Sequence, residues 1–405
     1  MSEAFQATKI ADKVYWVGAI DWDLRDFHGY LTSRGSTYNA YLVLAEKPVL
    51  IDTVKAPFFD QMMSRIASVI EPGEIEYIVS NHAEMDHSGC LPRAIEAIQP
   101  EQVYASRMGQ RALAAHFHLD RESVSVVGDG DTLDLGDLSL AFVETRMCHW
   151  PDSMVSYLPE REILFSQDAF GMHLASCERF VDEIDPSIID YETAKYFANI
   201  LLHLSPFIDK ALTKVEELDL PLKMVAPDHG PIWRTQDGIQ QIVGNYARWS
   251  AQEPTRKAVV VCDSMWGSTV KMAQVIADGL AEGGLQVALM NMTACHRSDV
   301  ITELLDAGAL VVGSATMNNN MLPAVADVMM YIRGLKPRNL VAASFGSFGW
   351  SGEASKHLHA ALTDMEYQMV TDPLRINYVP DGEALNQCRE FGLQLAAATI
   401  GACEG

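Results

Sequence analysis

Between residues 1 and about 250, apolar positions recur with a period close to two. The segments TYNAYLVLAEKPVLIDT, SVSVVGDGDTLDLGDLSLAFVET and SMVSYLPEREILFSQD alternate in this way and are broken by turn residues, which predicts short strands and hairpins. Between them, FFDQMMSRIASVI, CLPRAIEAI and GQRALAAHFHL carry helical spacing, so this half reads as a mixed α/β domain. After the helical GIQQIVGNYARWSAQ, the segment EPTRK breaks the pattern. From there the chain alternates strictly between strand and helix: AVVVCD, VKMAQVIADGLAEGG, QVALMNM, ITELLDAG, ALVVGS, VADVMMYIRGL and NLVAAS. That order predicts a doubly wound parallel sheet. Two domains are expected, 1–253 and 254–405, with the boundary near Glu253. The chain has no fixed-period repeat and no low-complexity tract.

Composition narrows the function classes. The chain has 405 residues, 48% of them hydrophobic, enough for two or three well-cored domains. Its 30 basic and 54 acidic residues give a net charge of -24. Such a balance excludes an electrostatically driven nucleic-acid partner, because phosphates would be repelled. Only 10 basic and 15 acidic residues lie from position 254 onward, which leaves net -19 on the preceding part. No apolar run is long enough to span a bilayer, and the opening MSEAFQATKIADKVYW has no basic start followed by an apolar core. A cytoplasmic protein is expected. The seven cysteines are scattered and contain no C-x-x-C pair, so any metal must be held by histidine and carboxylate.

The stretch SNHAEMDHSG at 80–89 offers that chemistry. His82, Glu84 and Asp86 alternate, so a loop of extended geometry would turn all three toward one point; His87 completes the string H-x-E-x-D-H. Alone, such a stretch reads equally well as a solvated polar loop. Downstream, His149 follows the strand LSLAFVET, Asp168 follows EILFS and His229 follows LKMVA. Each stands just past a strand end, where a rigid scaffold aims a side chain. His116 and His118, at helical spacing beside Phe117, read as packing or surface residues.

In order, H-x-E-x-D-H, CHWPDS, DAFG and PDHG resemble the metallo-β-lactamase-like domain of the flavodiiron proteins, and the resemblance extends to RDFHGY at 25–30 and through the second domain. It implies an αββα sandwich followed by a flavodoxin-like sheet. It also implies that His82, Glu84 and His149 hold one iron, that Asp86 and His229 hold the other, and that Asp168 bridges. His87 is either a ligand or a neighbour that supports one. His28 and Tyr30 are candidate pocket residues, with aromatic packing as the alternative. In zinc hydrolases of the superfamily the second position of the string is histidine; here it is Glu84, whose charge and hard oxygen favour an iron pair over zinc.

The first strand-to-helix turn of the second domain is DSMWGSTV. Hydroxyls, a glycine and a helix N-terminus form an anion-binding arrangement, and the absence of a lysine after the glycine excludes a nucleotide-hydrolysing loop. The loops GSATMNNNMLP at 313–323 and SFGSFGWSGEA at 344–354 also come directly after strands, so all three meet at the switch point of the sheet. The arrangement looks like a flavodoxin domain holding FMN. Ser264, Met265, Trp266, Gly267, Ser268 and Thr269 would surround the phosphate; Thr316, Met317, Asn318 and Asn319, with Gly346, Ser347, Phe348, Gly349 and Trp350, would surround the ribityl chain and ring. Trp350 is the candidate stacking residue, and Trp266 has a packed aromatic as its alternative. The chain departs from the family pattern at Ala315, where proline is usual, and at Asn320, where glycine is usual; asparagine tolerates a positive φ.

The function implied is reduction of O2 to water, or of NO to N2O, with electrons passed from FMN to two irons. Neither a rubredoxin nor a flavin reductase module is expected within the chain, so the donor would be an external rubredoxin or a reduced deazaflavin. The resemblance also implies a head-to-tail homodimer or a dimer of dimers, because within one chain the two centres would be too far apart. Two other readings stand beside it, a zinc hydrolase with an attached flavodoxin and a non-catalytic flavin electron carrier.

Overall fold

A computed structural model describes residues 4–404. The chain forms two compact units. The first comprises the residues up to His28, Thr32–Tyr196 and Leu204–Ala247; the second comprises Gly29–Leu31, Phe197–His203 and the chain from Arg248 onward. A single boundary near Glu253 therefore does not describe the division, because two short pieces of the first half group with the second unit.

The first unit is built on two sheets. One has seven strands in the order Thr8–Ala11, Val14–Trp16, Tyr41–Val43, Val49–Ile51, Tyr77–Ser80, Gln102–Ala105, Val124–Val126; the other has five, Thr132–Asp134, Ser139–Glu144, Met154–Leu158, Ile163–Gln167, Met224–Pro227. The period of two decides what each strand covers. Tyr41, Val43, Val49, Ile51 and Val79 pack with Leu140, Phe142, Met154 and Phe165 in a core between the sheets. The intervening Leu42, Leu50 and Ile78 pack instead with Met62, Met63, Ile66, Leu91 and Leu113 from helices. On the second sheet, Val155, Leu164 and Val225 face the helices Ser205–Glu217 and Gln236–Ala251. The layers are helix, sheet, sheet, helix, the αββα sandwich that the resemblance implied.

The second unit has a parallel sheet in the order Gln286–Asn291, Lys257–Asp263, Ala309–Ser314, Val341–Phe348, with Gln368–Met369 and Leu374–Asn377 both pairing with the last of these. Strand order reverses between Lys257–Asp263 and Ala309–Ser314, which opens a crevice at their carboxyl ends. The helix Ser268–Glu282 starts at that crevice and crosses the C-terminal helix Gly382–Glu404 at two glycines. A Cβ on Gly279 would stand 2.3 Å from the Arg389 carbonyl oxygen, and one on Gly392 would stand 2.4 Å from that of Ile276. Only backbone fits there. Gly279→Val is expected to destabilise the protein by about 2 kcal/mol through overpacking; an unchanged denaturant midpoint would show that the helices do not meet this closely.

Candidate metal centre and cofactor cleft

The site of the first unit forms where three strands end. The strand Tyr77–Ser80 delivers Asn81 and His82, Ile163–Gln167 delivers Asp168, and Met224–Pro227 delivers Asp228 and His229. The string H-x-E-x-D-H is not an extended loop throughout, as alternation suggested. Glu84 is extended and caps a four-residue helix, Met85–Ser88, which carries Asp86 and His87. Adjacent side chains on one helical turn can both reach the centre, which brings His87 in beside Asp86.

Asp168 stands in the middle. Its Oδ2 lies 3.0 Å from His149 Nε2 and 3.3 Å from His82 Nε2, while its Oδ1 lies 3.2 Å from His87 Nε2 and 3.4 Å from His229 Nε2. One carboxylate thus addresses two groups of donors. His82, Glu84, His149 and Asp168 converge on one side, and Asp86, His87 and His229 on the other, with the ligand-type atoms of each group within 4.8 Å of one another. Glu84 Oε2 is 3.0 Å from His149 Nε2, and Asp86 Oδ2 is 3.2 Å from His229 Nε2.

Two observations test whether this donor set fits metal ions. Both carboxylate oxygens of Asp86 are buried and form no hydrogen bond, and the Nε2 atoms of His87 and His229 point at each other across 3.1 Å. Several buried carboxylates crowded together with mutually facing imidazole nitrogens are unfavourable without a positive charge among them. The donor set fits two cations, and its mixture of imidazole and carboxylate suits iron.

The surrounding shell fixes each imidazole. Asp152 accepts from His82 Nδ1 at 3.1 Å and from the Ala83 amide at 2.6 Å, and the Thr37 carbonyl lies 2.6 Å from His229 Nδ1. These partners leave Nε2 of both rings directed inward. Asp228 Oδ2 faces His87 Nδ1 at 3.6 Å. His173, which carries no distinguishing motif in the sequence, is fully buried, shares a 2.8 Å hydrogen bond between its Nδ1 and Ser36 Oγ, and packs against His229 with ring centroids 4.6 Å apart. Burial and the neighbouring His229 hold its pKa well below the usual range, so it is neutral. His28 brings Nε2 to 3.6 Å from Glu84 Oε1 with its side chain 76% exposed, whereas Tyr30 is buried and groups with the second unit. His116 stacks on Trp150, which also meets His82 and His149, and lies on the exposed side of its helix, away from the two groups of donors.

In the second unit, a cleft of about 480 Å³ opens at the switch point. It is lined by Ser264, Met265, Trp266 and Ser268, by Thr316, Asn318 and Asn319, and by Ser347, Phe348, Gly349 and Trp350. Ala315 and Ser351, which lie within the two quoted loops, and Tyr378 and Val379, which no motif in the sequence marks, complete the lining. Gly267, Thr269, Met317 and Gly346 do not line it. Thr269 is buried with its hydroxyl 2.9 Å from Ser347 Oγ, so it ties two loops together instead of facing outward. The Ser264 hydroxyl accepts from the amides of Gly267 and Thr269 and shapes the turn. Trp266 is 91% exposed, which removes the packed-aromatic alternative; Trp350 is 88% exposed. Positive φ falls at Asn318 and Asn319, not at Asn320. Met317 and Asn320 exchange two backbone hydrogen bonds of 2.9 Å around that pair, a tight turn that needs positive φ at both central residues. None of the lining residues is basic, so an anion there would be held by amides, hydroxyls and the start of the helix Ser268–Glu282. An elongated ligand with an anionic end and an aromatic ring fits these walls.

Comparison with known proteins gives the same two-part picture. The family pattern described as ODP family beta lactamase matches residues 37–230, and that described as Flavodoxin matches residues 260–392. The rubredoxin-oxygen oxidoreductase of Megalodesulfovibrio gigas is 45% identical over 97% of this chain and 98% of its own length. The nitric oxide reductase of Moorella thermoacetica is 42% identical over 97% and 98%. A solved structure, the flavodiiron protein from Giardia intestinalis, superposes with a TM-score of 0.95 at 35% identity, covering 98% of both chains. The chain belongs to the flavodiiron proteins.

In this flavodiiron protein the donors of the centre form a cluster of charged groups that shift one another's pKa values. For His87, burial works against the charged form, yet Asp86, Asp168 and Asp228 raise its pKa to about 10. For His149, burial is likewise outweighed by Asp168 and Glu84, and its pKa rises to about 9. His82 is raised as well, against burial, by Asp152 and Glu84. Asp168 lies well below the usual carboxylate range: burial opposes this, and the charges of His87, His149 and His82 prevail. These carboxylates favour the protonated forms of His82, His87 and His149, so a metal binding at their nitrogens would displace protons. Titrating the metal-free protein with ferrous iron under argon in weak buffer at pH 7 should release protons, with apparent affinity rising as pH increases toward about 9. Binding without proton release would contradict this. Asp152→Asn should weaken metal binding by about 10- to 100-fold while the fold persists; unchanged affinity would remove Asp152 from its role in aiming His82.

No helix among the described residues is long and apolar enough to cross a membrane.

Proposed function

We propose that this protein is a flavodiiron oxidoreductase that takes electrons on FMN and reduces O2 to water or NO to N2O at two irons in the first unit. The single observation that carries the reading is Asp168, whose two oxygens address two separate groups of buried donors. His82, Glu84 and His149 would hold one iron and Asp86 and His229 the other, with Asp168 between them. The orientation of His87, with Nε2 directed inward and Nδ1 backed by Asp228, supports a ligand role beside Asp86 and His229. FMN would lie in the second unit's cleft, with its phosphate at Ser264 and Ser268 and its ring among Trp350, Phe348 and Tyr378. Bound iron supplies gas binding and redox change, and bound FMN supplies electrons singly or in pairs.

The chain's own residues do the rest. Asp152 and the Thr37 carbonyl hold His82 and His229 with Nε2 inward. His173 and Tyr196 pack around His229 as neutral groups: burial lowers the proton affinity of His173 and raises the pKa of Tyr196 well above 10. They exclude water without adding charge. His28, exposed and close to Glu84, is placed to carry protons in from solvent at Nε2. Electrons would come from an external donor of the rubredoxin type, the kind named in the Megalodesulfovibrio relative, or from a reduced deazaflavin. A cytoplasmic location accords with this chemistry.

A head-to-tail dimer, with one subunit's flavin serving the other's irons, is part of the proposal. Its support is the rim of the cleft, where Trp266, Trp350, Tyr378 and Val379 leave large apolar surfaces in solvent. The test pairs His82→Ala, which breaks the iron site, with Ser268→Asp, whose carboxylate repels the phosphate. Each variant alone should consume neither O2 nor NO after photoreduction. Purified mixed dimers should regain activity, because one intact flavin faces one intact iron pair. Background activity in mixed dimers of folded variants would refute transfer between subunits.

A further inference from the structure

The third loop of the cofactor cleft, residues 348–352, is held from behind by the strand Leu374–Asn377, which pairs in parallel with the end of Val341–Phe348. Two side chains on one face of that strand do the holding. Arg375 Nη2 donates to the Ser351 carbonyl at 3.2 Å and to the Gly352 carbonyl at 3.1 Å. Asn377 Nδ2 donates to the Phe348 carbonyl at 3.3 Å and to the Gly349 carbonyl at 2.6 Å. In a trans peptide the N–H stands opposite the preceding carbonyl. The Gly349 and Trp350 amides therefore point away from the strand; both residues line the cleft, and among the described residues neither amide finds a hydrogen-bond partner. Arg375 also packs on the wall itself. Its guanidinium carbon lies 4.8 Å from the centre of the Phe348 ring, and Phe348 lines the cleft. A Cβ on Gly352, whose φ is +78°, would strike both the guanidinium and that ring.

The charge of Arg375 is not spent on an acid. Both hydrogen bonds of Nη2 go to neutral carbonyls, Nε makes none, and among the described residues no carboxylate pairs with the guanidinium. A positive charge thus stands behind Phe348, at a cleft whose lining has no charged residue, in a chain of net charge -24. Partly buried charges are screened less than exposed ones, so this one acts on whatever occupies the cleft. Oxidised FMN has a neutral ring; with two electrons from the external donor and one proton from solvent, the ring becomes an anion. A cation nearby binds that form more tightly than the neutral one, and by linkage it raises the potential of the bound flavin. We propose that Arg375 is a positioning residue that sets the flavin potential: it fixes the third loop against Phe348, and from there its charge favours the reduced flavin over the oxidised one. The inference rests on FMN occupying this cleft with its ring beside Phe348.

The test uses the full-length protein with FMN bound, under argon and in mildly alkaline buffer, and reads the flavin spectrum during a dithionite titration with reference dyes; no turnover is needed. Arg375→Gln keeps an amide donor for the loop carbonyls and loses the charge. It should bind reduced FMN about tenfold more weakly relative to oxidised FMN, which lowers the two-electron midpoint by about 30 mV. Arg375→Lys keeps the charge and should stay near the wild-type midpoint. Affinity for oxidised FMN, read by quenching of flavin fluorescence, should change little in either. Arg375→Met, which keeps packing against Phe348, takes the place of the glutamine variant should that one fail to fold. An unchanged midpoint in the neutral variant, or an equal fall in Arg375→Lys, overturns the proposal. Failure of both neutral variants to fold reduces Arg375 to a structural residue and overturns it too. A wild-type protein that takes up no FMN overturns the flavin reading itself, and this inference with it.

Discussion

The structure of the first unit depends on the placement of one carboxylate. Asp168 is almost entirely buried, stands at the end of a central strand, and holds four imidazoles within 3.4 Å of its two oxygens. A buried anion in that position is tolerable only when positive charge surrounds it. The raised pKa values of His82, His87 and His149 answer to that requirement, and two cations would meet it as well. The sandwich answers to the same requirement. Its two sheets form a rigid core from which strand ends project the donors, while Asp152, Thr37 and Asp228 set the rings.

Backbone strain gathers around these donors. Met147 and Gln167, each close to a candidate ligand, have positive φ, as does Phe170 two residues beyond Asp168. Such conformations persist only where the surroundings over-determine them, and the hydrogen bonds of Phe170 to Tyr246 and Trp233 are of that kind. The second unit uses the same economy at the cofactor cleft. Asn318 and Asn319 turn the chain tightly between Met317 and Asn320, and the hydroxyls of Thr269 and Ser347 join the first loop to the third. At the metal centre the shaping groups stand behind the donors, whereas at the cleft Asn318, Asn319 and Ser347 both shape the loops and line the walls.

That distinction decides how much of the molecule was legible in the sequence. Residues that face the centre carry chemistry and sit just past strand ends, so His82, Glu84, Asp86, His149, Asp168 and His229 could be picked out, and the strand-then-helix alternation pointed to the parallel sheet. The groups that hold them were harder to see. Asp152 lies within the quoted CHWPDS, yet nothing in its position says that it aims His82, and His173 stands alone in GMH with no motif to mark it. Alternation in HAEMDH suggested an extended loop because a four-residue helix is too short to show a period; His87 consequently gained no clear role. Gly29–Leu31 and Phe197–His203 joined the second unit through tertiary packing, which no local pattern records.

The central claim is that two irons sit on either side of Asp168. Anomalous scattering from crystals of protein grown in iron-replete medium, recorded on both sides of the iron absorption edge, tests it directly. The account predicts two peaks that appear only above the iron edge, one among His82, Glu84 and His149, the other among Asp86, His87 and His229, with Asp168 contacting both. A single peak, or peaks that appear at the zinc edge and not at the iron edge, would contradict it.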